Sequence, residues 1–439
     1  MSQSSLPEDL TDAENKLEWA ARREEFADYR ARNEKFDKPA NGANWGSERT
    51  IRAEVIYALA VGDNSQVHAK GVQIYGAKIV GPLDMEGANI PHPFVLFDCF
   101  IGEPITLRNA DALSVNLDGS RVAGIVADGL RTRGDVFLRD DFHATGEVRL
   151  PGAAIGGDLD CFGGTFKNAE GVALYADRAA VEGAVFLHKG FHAKGEVRLL
   201  GAKIGRDLNC SGGTFENAEG EALNAAGARV EGHVFLTSMP QPEGGLGFHA
   251  KGEVRLVGAK IGGKLACWGG KFENADGTAL NLEGATVTAT FFLSEFASPP
   301  AGVVDLRSAH VGYLVDDEKS WPQDEGNLKL DEFVYGRLAG YAPWQARDRL
   351  RWLSLLPGFW PQPYEQLVRV LREMGQEQDA REVAIAKQVQ VRKRGSPGFW
   401  GWARSLFLGF TIAHGYKGGR AFAWLVLVWL LGTGMFWLA

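Results

Sequence analysis

The sequence predicts a mainly β protein: a right-handed parallel β-helix with an N-terminal helical cap, a C-terminal helical segment and one C-terminal transmembrane helix. Three observations carry this: a long internal repeat, apolar residues spaced alternately by two and three, and a charge-free stretch at the chain end. The repeat comes first. GFHAKGEVRLLGAKIGRDLNCSGGTFENAEGEAL begins at Gly190 and returns at Gly247 as GFHAKGEVRLVGAKIGGKLACWGGKFENADGTAL. A third copy, DFHATGEVRLPGAAIGGDLDCFGGTFKNAEGVAL, starts at Asp141. The copies lie 49 and then 57 residues apart, and the extra eight fall in one loop, TSMPQPEGGLG, where the previous copy has HKG. An insertion absorbed at one point with register kept is the mark of a solenoid.

Each copy divides into two similar halves, 26 residues apart. Val197, Leu199, Ala202, Ile204, Leu208 and Cys210 in the first correspond to Leu223, Ala225, Ala228, Val230, Val234 and Leu236 in the second. The template recurs at 72–85, 148–161, 174–187, 254–267 and 280–293, shortened at 304–314 and loosely over 105–138. Steps of two mark a strand with one buried face, and the extra residue marks a corner; a 3.6-residue helix cannot satisfy both. A coil of about 20–26 residues follows, and about eleven coils stacked at ~4.8 Å make a rod roughly 50 Å long. Glycine, at 56 of 439 residues and without the three-residue period of collagen, suits a chain that turns this often.

The ends read as helical. Ser47 and Glu48 can start a helix through ERTIRAEVIYALAVG, whose Ile51, Val55, Ile56 and Leu59 form an apolar stripe able to cap the first coil. Residues 8–36 read as a separate, charged surface helix. After Trp321 the period becomes helical, with candidates at 345–355, 363–374 and 378–391 and Gly375 at a break. Such pairs fit either a helix–turn–helix protein-binding unit or a plain cap. The predicted organisation is 1–66 (charged helices and cap), 67–320 (β-helix), 321–395 (helical domain), 396–420 (juxtamembrane) and 421–439 (transmembrane).

The last 19 residues carry no charge and would span ~28 Å as a helix, close to a bilayer core. Before them, aromatics mix with cations. Arg392, Lys393, Arg394, Trp400, Trp402, Arg404, Tyr416, Lys417 and Arg420 are the candidate membrane-interface residues, with membrane lipid as the partner. Between 391 and 420 there are six Lys/Arg and no acid, which places this side in the cytoplasm. The polar, acidic N-terminus lacks the features of a secretory signal. Together these predict a single-pass protein of a bacterial inner membrane with its β-helix in the cytoplasm.

Chemistry is hard to find. GAKIGGKL at 258–265 has phosphate-loop spacing, but Leu265 stands where magnesium needs Ser or Thr, and the equivalent repeat reads GAKIGRDL. Cys161, Cys210 and Cys267 share one template slot two coils apart, so ~10 Å separates them. That is too far for a disulfide or a zinc site, and they read as small core residues. His143, His192 and His249 repeat in the same way and are expected to make separate corner or loop contacts. Glu196 and Arg198 alternate on a strand and read as a solvated charged face. No Ser/His/Asp set, HExxH or GxGxxG suggests a reaction, so no catalytic, cofactor-binding or metal residue is nominated and no cofactor is expected.

Small residues two before a large apolar one, near every five positions, resemble the spacing of pentapeptide-repeat β-helix proteins, although A(D/N)Lxx is not kept. Three stretches add a closer likeness: WGSERTIRAEVIYALAVG from Trp45, DLRSAHVGYLVDDEKSWP from Asp305 and WPQPYEQLVRVLREMGQEQDAREVAIAKQ from Trp360. They resemble a bacterial family often labelled membrane-associated oxidoreductase, which implies membrane association and, by that label, redox activity. The residues themselves favour a membrane-tethered scaffold or adaptor that binds another protein, through the 237–247 insertion and the C-terminal helices. An oxidoreductase is the second reading. A DNA mimic is the third: residues 68–318 hold 32 acids against 22 Lys/Arg. With net charge −8, nucleic acid is not an expected partner.

Overall fold

A computed structural model describes residues 6–61, 67–239 and 245–394, together with Val426, Trp429, Leu430, Leu431 and Thr433. The alternating template forms a parallel β-solenoid of the right-handed type with about 12 turns. Each turn has four short sides. From its N-terminal end the chain makes face 1 (Val72–Tyr75), face 2 (Lys78–Val80), face 3 (Asp84, bridged to Thr106) and face 4 (Asn89–Ile90), then returns to face 1 at Phe94–Phe97. On face 1, Val72 pairs with Phe94, and Val115, Val136, Leu159, Val185, Leu208, Val234 and Leu265 continue the column, all buried. One turn spans 21 residues from Asp118 to Arg139, 26 from Asp158 to Ala184 and 31 across the insertion, from Ser238 to Gly269.

The apolar steps fill the inside of the solenoid, and the extra residue of each step makes a corner with left-handed backbone. Gly119 (φ 68°) and Gly201 (φ 65°) are such corners, and the same columns hold Asp140 (φ 52°) and Arg178 (φ 55°) one turn away. Left-handed corners recur every turn, which explains the excess of glycine. Inside one corner runs a ladder of buried rings: Phe142, Phe166, Phe191, Phe215, Phe248, Phe272 and Phe296, with centroids 5.1–5.4 Å apart. Each ring removed from water contributes on the order of 1.5–3 kcal/mol. Cys161, Cys210 and Cys267 are fully buried in an inner column alternating with Leu187 and Leu236. All four cysteines are free, and burial raises their thiol pKa values.

The N-terminal end differs from the single cap helix expected. Helix α1 (Asp12–Ala21) is opened by a capping box between Thr11 and Glu14. Instead of one helix over 8–36, α1 is followed by a strand, Ala27–Asp28, that pairs with Ile74 and Tyr75, and by the short α2 (Glu34–Asp37). At Ser47 only a three-residue 3-10 turn, Ser47–Arg49, stands in place of the expected long helix. Thr50–Arg52 is a strand against Lys78–Val80, and α3 begins only at Ala53, running to Val61. Ile51 is the reason: it enters the inner column opposite Ile79 and is wholly buried there. Glu14 ties α1 to this strand, accepting from Arg52 N (3.0 Å), Nε (2.8 Å) and Nη2 (2.8 Å).

The C-terminal end extends the solenoid past residue 320. Leu328–Lys329 and Val334–Leu338 pair with the turn before them, because Leu328, Leu330, Phe333 and Tyr335 still follow the inward template. Helices α4 (Ala346–Ser354), α5 (Pro361–Glu373) and α6 (Glu377–Arg394) follow, with Gly375 left-handed (φ 77°) between the last two. The join is a buried ion pair. Arg349, 0% exposed, donates to both oxygens of Asp316, 1% exposed, at 2.7 and 2.8 Å, and Trp321 Nε1 donates to the same carboxylate at 2.8 Å. Gln366 closes the last rung by donating to Tyr335 O at 2.6 Å.

The expected transmembrane helix requires correction. Among the described residues no helix is long and apolar enough to cross a membrane. The longest, α6, has 18 residues, but charged residues such as Glu377, Arg381, Glu382 and Lys387 recur along it. The expectation of a single-pass inner-membrane protein with a cytoplasmic β-helix is therefore unsupported. Of 421–439 only Val426, Trp429, Leu430, Leu431 and Thr433 are described, all helical and exposed. The remainder of that stretch lies outside the described residues.

Candidate functional site

The four outward surfaces share one interior but carry different side chains. On face 1 the outward neighbours of the buried column are Phe137, Asp160, Phe186, Asn209, Phe235, Ala266 and Phe292. Phenylalanine thus recurs on every second turn, at about 10 Å intervals. The next outward positions in these turns hold Phe162, His188, Ser211, Thr237 and Trp268. His188 lies 5.2 Å from the Phe186 ring and 5.9 Å from Phe162, and Trp268 meets Phe292 edge-on at 5.1 Å. Ser211 and Thr237 hydrogen-bond to each other at 2.8 Å. From Phe186 to Phe292, five turns pass with no acid, lysine or arginine in either row. Burial, with the charge of Lys189 adding to it, pushes His188 down to about 4, so it too is neutral at pH 7.

The edges of this surface are charged, and the acids there are already engaged. Asp158 accepts from Ala184 N and Asp207 from His233 N, each at 2.7 Å, while His233 Nδ1 accepts from Lys264 N at 2.9 Å. Arg206 and Lys264 on this edge, and Lys189 on the other, are exposed. None of the three has an ion pair among the described residues. The insertion rises beside the same surface. Met239 N donates to Leu246 O at 2.9 Å, closing its base, and Leu246 is 45% exposed over Gly212, where an added Cβ would lie 3.0 Å from Leu246.

The other faces are self-contained. On face 3 each arginine finds an acid: Arg149 with Asp128 (2.6 Å), Arg198 with Asp177 (2.8 Å), Arg307 with Asp305 (2.8 Å). Arg198 therefore pairs with the preceding turn, while Glu196 accepts from Asn224 Nδ2 at 3.2 Å. On face 2, His143, His192 and His249 open strands on the outer surface and are not corner or loop contacts. Threonines separate them, and His192 and His249 face Glu216 (3.5 Å) and Glu273 (2.6 Å) of the next turn. The phosphate-loop match at 258–265 is an ordinary turn, with Lys260–Ile261 and Leu265–Ala266 as strands and no helix following.

Of the proposed membrane-interface residues, Arg392, Lys393 and Arg394 form the last turn of α6. Trp400, Trp402, Arg404, Tyr416, Lys417 and Arg420 lie outside the described residues. Among the described residues no group of three His, Cys, Asp or Glu could hold a metal ion. Two open clefts, of about 740 and 760 Å³, flank the N-terminal cap. Several of the charges lining them are already bound: Arg30 to Asp28, Asp37 to Arg49, and Arg52 to Glu14. The aromatic surface was missed in the sequence, although its signal is there: VFL at 136–138, 185–187 and 234–236, then FFL at 291–293.

The molecule is a capped parallel β-solenoid with a five-turn uncharged aromatic stretch on one face. No protein-family model, curated protein or solved structure matches the chain.

Proposed function

We propose that this protein is a scaffold that presents face 1 to another protein. The observation that carries the reading is the five-turn stretch from Phe186 to Phe292, aromatic, uncharged and partly exposed. Docking surfaces are depleted of charge at their centre and enriched in aromatic residues, with polar groups at the rim. The face has that arrangement, with Asp158, Arg206, Asp207 and Lys264 along one rim, Lys189 and Glu295 along the other, and Leu246 of the insertion as one wall. A solenoid supports this role mechanically, since each turn is held by the hydrogen bonds of its neighbours and the surface is set before a partner arrives.

The test compares two baits. The full chain and a Phe186→Asn/Phe235→Asn variant are immobilised and exposed to the same extract. Asparagine already occupies this row at Asn209, so the variant keeps the backbone pattern. Proteins held by the first bait and lost from the second are the expected result; identical sets on both would refute docking at face 1.

A further inference from the structure

We infer that the protein received by face 1 is a second copy of this chain, seated antiparallel about a twofold axis at the turn of Phe235. This rests on the docking reading above and names its partner. The argument starts from the order of the turns. The inward residues Leu159, Val185, Leu208, Val234, Leu265 and Phe291 follow one another in register, so each outward residue belongs to a definite turn. Phe186, Phe235 and Phe292 stand on alternate turns, which makes the Phe235 turn the middle of the uncharged stretch. Below the stretch the Arg139 guanidinium covers Phe137 at 3.9 Å, and at its upper end Tyr341 hydrogen-bonds to Ser294 at 2.8 Å.

Both rims carry opposite charges at equal numbers of turns from that middle. Along one, Lys189 lies two turns before it and Glu295 two turns after. Both are exposed, and neither has an ion pair among the described residues; Glu295 accepts from Tyr341 Oη at 2.8 Å. Along the other rim, Asp207 lies one turn before the middle and Lys264 one turn after. A twofold axis between two such faces, at right angles to the solenoid, reverses the turns and keeps each rim against its own kind. Lys189 then meets Glu295 of the second copy, Lys264 meets Asp207, and Phe235 meets its own counterpart, with each ion pair made twice. Arg206 stands beside Asp207, so Lys264 meets a neutral pair there and the contact of Lys189 with Glu295 carries most of the selectivity. Asp158, three turns before the middle, falls opposite Tyr313, three turns after it and 49% exposed. Parallel seating would set Lys189 against Ala184 and Glu295 against Thr290, leaving every rim charge without a partner. An unrelated protein does not require either rim to mirror itself about Phe235. A charge-depleted centre also suits contacts between identical chains, which are the more apolar class.

The experiment is sedimentation equilibrium of the full chain over a range of concentrations. A dimer of twice 47.7 kDa is expected. Phe235→Asn, at the axis, should weaken it at least tenfold. Lys189→Glu sets acid against acid on both sides of the axis, and Glu295→Lys sets lysine against lysine; each alone should also weaken it at least tenfold. Mixed in equal amounts, these two variants present opposite charges to each other and should associate as tightly as the parent chain. Both positions are exposed and have left-handed backbone (φ 48° and 56°) that lysine and glutamate already occupy, so the unfolding midpoint should not move. A dimer indifferent to both charge reversals, or a mixture no tighter than its components, would overturn the antiparallel pairing. A chain that stays monomeric throughout overturns the second-copy assignment and leaves docking to the bait comparison, where only identical sets would remove it as well.

Discussion

Faces 1 and 3 are built on the same turns and the same apolar interior, yet they meet solvent in opposite ways. On face 3, Arg149, Arg198 and Arg307 each reach an acid within 2.8 Å, and the Tyr175 ring lies between two of these guanidinium groups at 5.1 and 5.4 Å. That surface satisfies itself. Face 1 places rings where face 3 places ion pairs, and over five turns offers no charge to water. The contrast teaches that stacking requires only the inward residues of each turn. The outward ones are free to differ, so a face left apolar needs a reason beyond the fold.

The largest effect should come from the interior that both faces share. Phe215→Ala opens a gap in the buried ring ladder and should cost about 3–5 kcal/mol, read as a lower urea midpoint. A loss near zero would mean that the ladder is not what holds the turns together. Next comes the outward row. Phe186→Asn/Phe235→Asn should lower partner affinity at least tenfold, about 1.4 kcal/mol, while shifting the urea midpoint less than Phe215→Ala does. Equal damage to folding and binding would erase the distinction between inward and outward rings.

A pH titration sharpens the comparison further. His188 is held down at about 4 by burial, below an ordinary value near 6.5. Its contribution to stability is therefore complete above about pH 6.5 and is lost as the pH falls through about 4, because the unfolded chain takes up the proton first. His188→Phe should flatten this part of the pH–stability curve; an unaltered curve would contradict the assignment. Glu14 behaves likewise at lower pH. Burial opposes its ionisation, but the hydrogen bonds from Arg52 and Thr11 outweigh burial and hold the carboxyl at about 2. Its contribution is complete above about 4.5 and is lost as the pH falls toward 2. The smallest effect belongs to face 3. Arg198→Ala removes a partly exposed pair and should cost under about 1 kcal/mol, with no change in partner binding.

The solenoid was legible because its inward residues obey a spacing that no helix can share. Val197, Leu199, Ala202, Ile204, Leu208 and Cys210 are all buried, as their alternation requires. The cysteine separation follows from the same register. The cap was less legible, since Ile51, Val55, Ile56 and Leu59 satisfy a helical stripe equally well. Only the vacant column beside Ile79 decides that Ile51 belongs to a strand. Extending a 19-residue apolar stretch into a membrane span went further than any described helix supports.

The aromatic face lay in plain view as a repeated VFL, but one-dimensional periodicity ranks residues by burial and says little about outward neighbours from distant turns. By itself the sequence determined a stacked solenoid with helical ends, because alternation and corners are local properties of the chain. The tertiary structure decided which charges neutralise one another and which rings stand together. Arg198 meets Asp177, Arg349 meets Asp316, and Phe186 aligns with Phe235 only once the turns are stacked in register. Pairing and surface character depend on distances across turns, and those distances exist only in the folded chain.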